Sequence, residues 1–218
     1  MNITIVLGDK IPSIKYGGTQ RVMWYLGKEL NKRGHKVTFI AGKGSSCPFA
    51  KVIELDPSVN LNTQIPTDAD IVHFNIPVPE GITKPHLLTI HGNGIPANAD
   101  RNIVFVSRNH AQRLGSESFV YNGLDWDDYG PANLTLPRKN YHFLGKAAWK
   151  VKNIKGAIAV VQSIKNAQLD VLGGYRLNLK MGFRFTWNPR IHFHGMVDDS
   201  KKKVIIEQSK GLIFPVTW

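Results

Sequence analysis

Short β-branched apolar runs alternate along this chain with stretches of helical period. Residues 2–7 (NITIVL) form such a run, the pattern of a strand buried on both faces. Val22, Leu26 and Leu30, with Met23 beside them, recur at helical spacing and stop at Gly34, where a helix C′ glycine belongs. Residues 35–40 read as a second strand, which completes a β-α-β unit. Its first connection, residues 8–18, exceeds the usual length of about two to six residues. A long loop at the carboxyl end of a parallel strand is where open α/β sheets hold ligands. Gly17 and Gly18 close that loop and let backbone approach a bound group, with Thr19 and the following N–H groups facing an anion. The plainer reading of the pair is a chain break before a helix.

The rhythm continues. Residues 51–55, 69–74, 87–92, 102–107 and 118–121 read as strands, and 56–67 and 76–85 as loops. Ser107 is placed to cap a short helix over 109–114. Gly, Pro and paired aspartates break any period over 125–140, after which strands at 141–144, 169–172, 190–194 and 211–215 alternate with helices at 154–164 and from Asp198 to Glu207. The pattern predicts an α/β protein built on parallel sheets. Its expected parts are a first domain over 1–128, a linker over 129–140 and a second domain over 141–218. The last strand has no following helix within the chain, so one face of the second sheet is expected to leave apolar area exposed.

Composition narrows the class. The chain has 218 residues, 42% apolar, with one cysteine and no stretch of membrane-spanning length or signal-peptide layout. A cytoplasmic location is the expectation, with Cys47 an incidental thiol in a Gly-Ser loop. Charge is uneven: residues 1–128 carry 13 basic against 12 acidic side chains, and residues 129–218 carry 15 against 4. The second half is therefore expected to meet an anionic partner: a phosphorylated ligand, nucleic acid or an acidic membrane surface. Nucleic acid has the least support, because no binding motif or aromatic-basic interleaving accompanies the charge.

Candidate chemistry lies at strand ends. His91, at a strand tip before Gly92, can hydrogen-bond a sugar hydroxyl or stabilise a phosphate, or be satisfied by backbone. His73 lies deeper in its strand and reads as structural. His192 and His194 share one strand face but lack a third ligand nearby in sequence, and Asp127-Asp128 reads as a solvated turn, so no metal site is expected. Lys146, Lys150, Lys152 and Lys155 cluster between a strand end and a helix start, a place for a diphosphate or simply an exposed basic loop. No Gly-x-Gly-x-x-Gly, Walker or Gly-x-Ser-x-Gly motif is present.

Six segments in register resemble GT-B glycosyltransferases of the family 4, glycogen-synthase-like type. They are the Gly17-Gly18 helix with its continuation to 42, TIHG at 89–92, VYNGLD at 120–125, FLGK to KG over 143–156, LGG at 172–174 and HFHGMVDD at 192–199. The resemblance implies two Rossmann-like domains, the second incomplete. It implies retaining, metal-independent transfer of a sugar from a nucleotide diphosphate sugar to a glycan or lipid-linked acceptor, as in polysaccharide assembly. By position, Gly17 and Gly18 match the loop approaching donor phosphate and acceptor, and His91 the histidine lining the donor-sugar site. Lys146 stands where the family has Arg, which keeps the charge and loses the bidentate fork, and Lys155 matches the Lys before Gly. Gly195, Met196 and Val197 fall in the loop touching the base. The family's Glu-x7-Glu segment is expected just after Pro215 and is not reached, so this chain alone is expected to bind donor weakly. A second chain or a second copy completing the domain, and peripheral contact with a membrane, are further expectations. The alternative is a catalytically inactive nucleotide- or sugar-binding module.

Overall fold

The computed structural model describes residues 1–14, 17–95 and 101–217. Lys15 and Tyr16 of the opening loop, and the terminal Trp218, lie outside the described residues. The chain forms two compact units, one of Met1–Ser13 with Gly17–Asp125, the other of the residues from Trp126 onward together with Ile14.

The first unit runs β1 (Asn2–Val6), α1 (Gly18–Lys32), β2 (Lys36–Ala41), β3 (Lys51–Glu54), α2 (Leu61–Gln64), β4 (Ile71–Phe74), β5 (His86–Ile90), β6 (Ile103–Phe105) and α3 (Arg108–Arg113). All six strands are parallel, in the order β3-β2-β1-β4-β5-β6. The β-branched run of β1 is buried on both faces, as its composition requires. Ile3, Ile5 and Leu7 join Val37, Phe39 and Met23 of α1, while Val6 joins Val72, Phe74, Leu88 and Phe105 on the other side. Gly27 of α1 seats directly on the Phe39 ring, leaving no room for a Cβ. The helix ends as its pattern predicts: His35 N–H donates to Leu30 O and Gly34 N–H to Asn31 O, the paired bonds of a Schellman stop. Ser107 caps α3 by accepting from His110 N–H at 3.1 Å.

Two local expectations fail. The loop over 56–67 contains the one-turn α2, capped by Asn60, whose side chain accepts from Asn62 N–H. Residues 118–121 are not a full strand, since only a single bridge joins Phe119 to Phe105. Three-residue β6 is too short to template more pairing.

The second unit runs β7 (Asn140–Leu144), α4 (Ile154–Ser163), β8 (Leu169–Leu172), β9 (Leu177–Asn178), β10 (Arg184–Phe185), β11 (Ile191–Phe193), α5 (Asp199–Glu207) and β12 (Ser209–Leu212). Four strands form a parallel sheet in the order β11-β8-β7-β12, and β9 and β10 form a separate antiparallel hairpin that the apolar pattern did not predict. Phe143, Leu169, Val171 and Ile191 pack against Ala157 and Val161 of α4. The alternate positions are mostly polar and bonded to one another or to neighbours. His194 Nε2 meets Asp170 Oδ1 at 2.7 Å, Asn140 donates to Asp170 Oδ2 at 2.9 Å, and His142 Nδ1 lies 2.7 Å from Ser209 Oγ. Leu144 and Leu212 on this face remain exposed, so the expected apolar exposure is present but reduced by the polar positions around it.

Candidate functional site

In the first unit β1 and β4 lie side by side while the chain leaves them toward opposite edges, so their carboxyl ends form a topological switch point. The β1–α1 loop starts there and is clasped by the β2–β3 connection. Gly42 N–H donates to Asp9 O at 3.0 Å, Ile11 N–H to Ser45 Oγ at 3.0 Å, and Ser46 N–H to Ile11 O at 3.0 Å. Cys47, in the same connection, packs half-buried against the α1-side core, and burial pushes its thiol pKa up. Gly17 occupies the N-cap of α1 at φ 147°, and a Cβ there would meet the Ser13 and Gln20 side chains. Gly18 differs, with open space where its Cβ would stand. Among the described residues no side chain caps the α1 N-terminus.

His91 stands at the same rim. Its Nε2 lies 2.8 Å from Asn75 Oδ1, and the Asn75 main-chain and side-chain nitrogens both donate to Val6 O, at 2.9 and 3.2 Å. With the Asn75 amide nitrogen committed as donor, its oxygen accepts, so His91 Nε2 carries the hydrogen. Burial first, then the nearby His110, hold the His91 pKa below its ordinary value. The neutral ring presents Nδ1 as an acceptor, suited to a hydroxyl rather than a phosphate. His73 pairs with Thr89 Oγ1 at 2.7 Å, and burial followed by His91 lowers its pKa to about 4.

His110 and Asn75 are the residues that sequence reasoning missed here. His110 is only 5% exposed, stacks edge-on against Phe105 at 4.8 Å and, among the described residues, finds no partner for Nε2. Nothing in a six-residue helix announces that role.

In the second unit the carboxyl ends of β7, β8 and β11 are tied together. Gly145 N–H donates to Leu172 O at 3.0 Å, Ala147 N–H to Gly173 O at 2.8 Å, Gly173 N–H to Gly195 O at 2.8 Å, and Gly195 N–H to Gly174 O at 3.1 Å. At Gly173, with φ 119°, a Cβ would strike the Gly145 carbonyl. Beside this knot a cleft of about 250 Å³ opens between the α4 N-terminus and the β9–β10 hairpin, lined by Lys150, Lys155, Asn153, Asn178, Phe183 and Arg184 among others. Asn153, at φ 51°, caps α4 by accepting from Gly156 N–H at 3.0 Å. Pockets for whole drug-sized ligands run to about 300–1,000 Å³, so this cleft suits a diphosphate or a single ring.

The four candidate lysines divide. Lys150 and Lys155 line the cleft, Lys146 lies over the Trp149 ring at 5.2 Å, and Lys152 over Phe214 at 5.1 Å. Of the loop at 195–197, Gly195 and Val197 are buried and Met196 is half-buried. His192 and His194 are engaged separately, by Gln168 at 3.1 Å and Asp170 at 2.7 Å. Among the described residues no group of three or more metal-ligating side chains converges.

Part of the basic excess is structural. Arg176 donates to the carbonyls of Thr186, Asn188 and Ile191, and Arg190 to those of Gln162, Ile164 and Ala167 at the end of α4.

No protein-family model and no curated protein sequence matches the chain. Solved structures do. AviGT4, a glycosyltransferase involved in avilamycin A biosynthesis, superposes with a TM-score of 0.77 at 16% identity over 99% of this chain and 70% of its own. Sucrose-phosphate synthase from Thermosynechococcus elongatus gives 0.70 at 15%, over 99% and 75%, and Acinetobacter baumannii MurG gives 0.52 at 12%, over 97% and 71%. The chain therefore has the α/β fold of these proteins, with two Rossmann-like parallel-sheet units of the GT-B type.

Proposed function

We propose that this chain is a glycosyltransferase that takes a sugar from a nucleotide diphosphate sugar and passes it, with retention and without a metal, to a glycan or lipid-linked acceptor. The observation that carries the reading is the basic cleft at the start of α4, where Lys150, Lys155 and Arg184 line a space of diphosphate size. Lys155 and Lys150 serve as point charges for the diphosphate oxygens. Each charge-assisted hydrogen bond contributes on the order of 1.5–3 kcal/mol, and a developing negative charge on the leaving diphosphate strengthens them. His91, neutral and held by Asn75, accepts a hydrogen bond from a donor-sugar hydroxyl through Nδ1. Gly17 and Gly18 bring α1 N–H groups toward a substrate anion, and the backbone of residues 195–197 takes the base.

Calorimetric titration of UDP, GDP and ADP into the chain tests the reading. One diphosphate is expected to bind saturably, to bind equally well in EDTA, and to weaken by roughly tenfold or more in Lys155→Ala and in Lys150→Ala. No binding of any diphosphate, or binding indifferent to both lysines, removes the site. Binding without sugar release from any donor leaves a binding module and removes the transferase.

A further inference from the structure

We propose that the β9–β10 hairpin docks the second unit onto an anionic lipid bilayer. From Arg176 to Trp187 the sequence alternates without a break. Leu177, Leu179, Met181, Phe183, Phe185 and Trp187 occupy one set of positions, and Arg176, Asn178, Lys180, Gly182, Arg184 and Thr186 the other. The pairing puts Leu177 opposite Phe185 and Asn178 opposite Arg184, so within the paired strands the apolar and polar positions lie on opposite faces. The orientation is the reverse of an ordinary surface hairpin. Arg176 and Arg184 turn inward onto main-chain oxygens, including Ile191 O at 2.7 Å and Tyr175 O at 2.9 Å, and Arg184 lies over Phe193 at 5.0 Å. Leu177, Leu179, Phe185 and Trp187 are exposed, Leu179 to 72% and Trp187 to 84%, while Phe183 belongs to the cleft lining described above.

A contiguous exposed apolar row marks an interaction surface, and two features select a bilayer as its occupant. No carboxylate occurs in the sequence between Asp170 and Asp198, and Lys180 is exposed at the hairpin turn, so the segment itself carries no negative charge to oppose anionic headgroups. Trp187 packs edge-on against Phe185 at 4.9 Å, and exposed Tyr175 flanks the row, the side-chain types that anchor at a membrane interface. A single-stranded nucleic acid fits less well, because the arginines that would track its phosphates face away from the rings. The inference stands apart from the reading as a transferase.

The test is co-sedimentation of the whole chain with phosphatidylcholine vesicles, with and without phosphatidylglycerol. Binding is expected only to the anionic vesicles. It should come with a blue shift in tryptophan emission that Trp187→Phe removes. The triple variant Leu179→Ser, Phe185→Ser, Trp187→Ser should bind about tenfold more weakly or worse, its folding checked by cooperative thermal unfolding. Lys180→Glu, with the apolar row intact, should also weaken binding and keeps the question open to decision if the triple variant does not fold. Absence of vesicle binding overturns the proposal, as does binding unchanged in these variants. Self-association or oligonucleotide binding that the triple variant abolishes, with no vesicle binding, overturns it in favour of a second copy or a nucleic acid.

Discussion

His73 carries a pH dependence that can be read in stability. In the folded chain burial beside His91 keeps it neutral down to about pH 4, whereas unfolded it takes a proton near pH 6.5. Between those values the unfolded state binds the extra proton, so stability falls as pH drops from about 6.5 to 4 and is unaffected by this group above that window. The contribution is on the order of 3 kcal/mol. Denaturant unfolding of His73→Gln at pH 7 and pH 5 should show a smaller loss than the parent; an equal loss would place the dependence elsewhere. At this scale the sequence is legible only in part. His91 could be picked out because it ends a strand pattern before glycine. Asn75, which fixes its tautomer, directly follows β4, and the two meet only when β1, β4 and β5 align. Local pattern contains no term for that.

Among the elements, two glycine substitutions separate packing from function. Gly173→Ala forces a Cβ onto the Gly145 carbonyl at a positive φ and should destabilise the second unit by about 1–3 kcal/mol. Gly18→Ala meets open space at the start of α1 and should leave thermal stability unchanged or raise it by up to about 1 kcal/mol. If Gly18→Ala nevertheless lowers activity, the glycine serves a ligand; unchanged activity would discard that role. The parallel strands and capped helices were readable because each satisfies its own burial and capping requirements locally. The hairpin's alternation is plain in the sequence, but its apolar positions are exposed, so it does not follow the pattern of a strand that packs into a core. Its polar set is inward only in part: Arg176 and Arg184 turn to main-chain oxygens and Thr186 is buried, while Lys180 is exposed.

For the whole molecule, each unit has its own apolar core. Scanning calorimetry should resolve two transitions, one of them lowered by Phe39→Ala, a cavity worth about 3–5 kcal/mol in the first unit. A diphosphate at a hundredfold its Kd should raise the other by about 2.7 kcal/mol in stability. A shift confined to the Phe39-sensitive transition would relocate the anion site to the first unit. The two-sheet α/β plan was legible because strand and helix periods alternate twice. The basic excess promised more free charge than the fold leaves, since Arg176 and Arg190 are taken up by carbonyls.

The clasp between the β2–β3 connection and the β1–α1 loop has a practical corollary. Cys47 is the chain's one thiol and sits in that clasp, half-buried and held protonated by its surroundings. Thiolate is the reacting form, so disulfide-exchange reagents should modify the native chain slowly, at a rate set by how often the clasp opens. Its labelling half-life, measured with and without added nucleoside diphosphate, is therefore a clock for the opening of the β2–β3 connection around Cys47, with no engineered probe required.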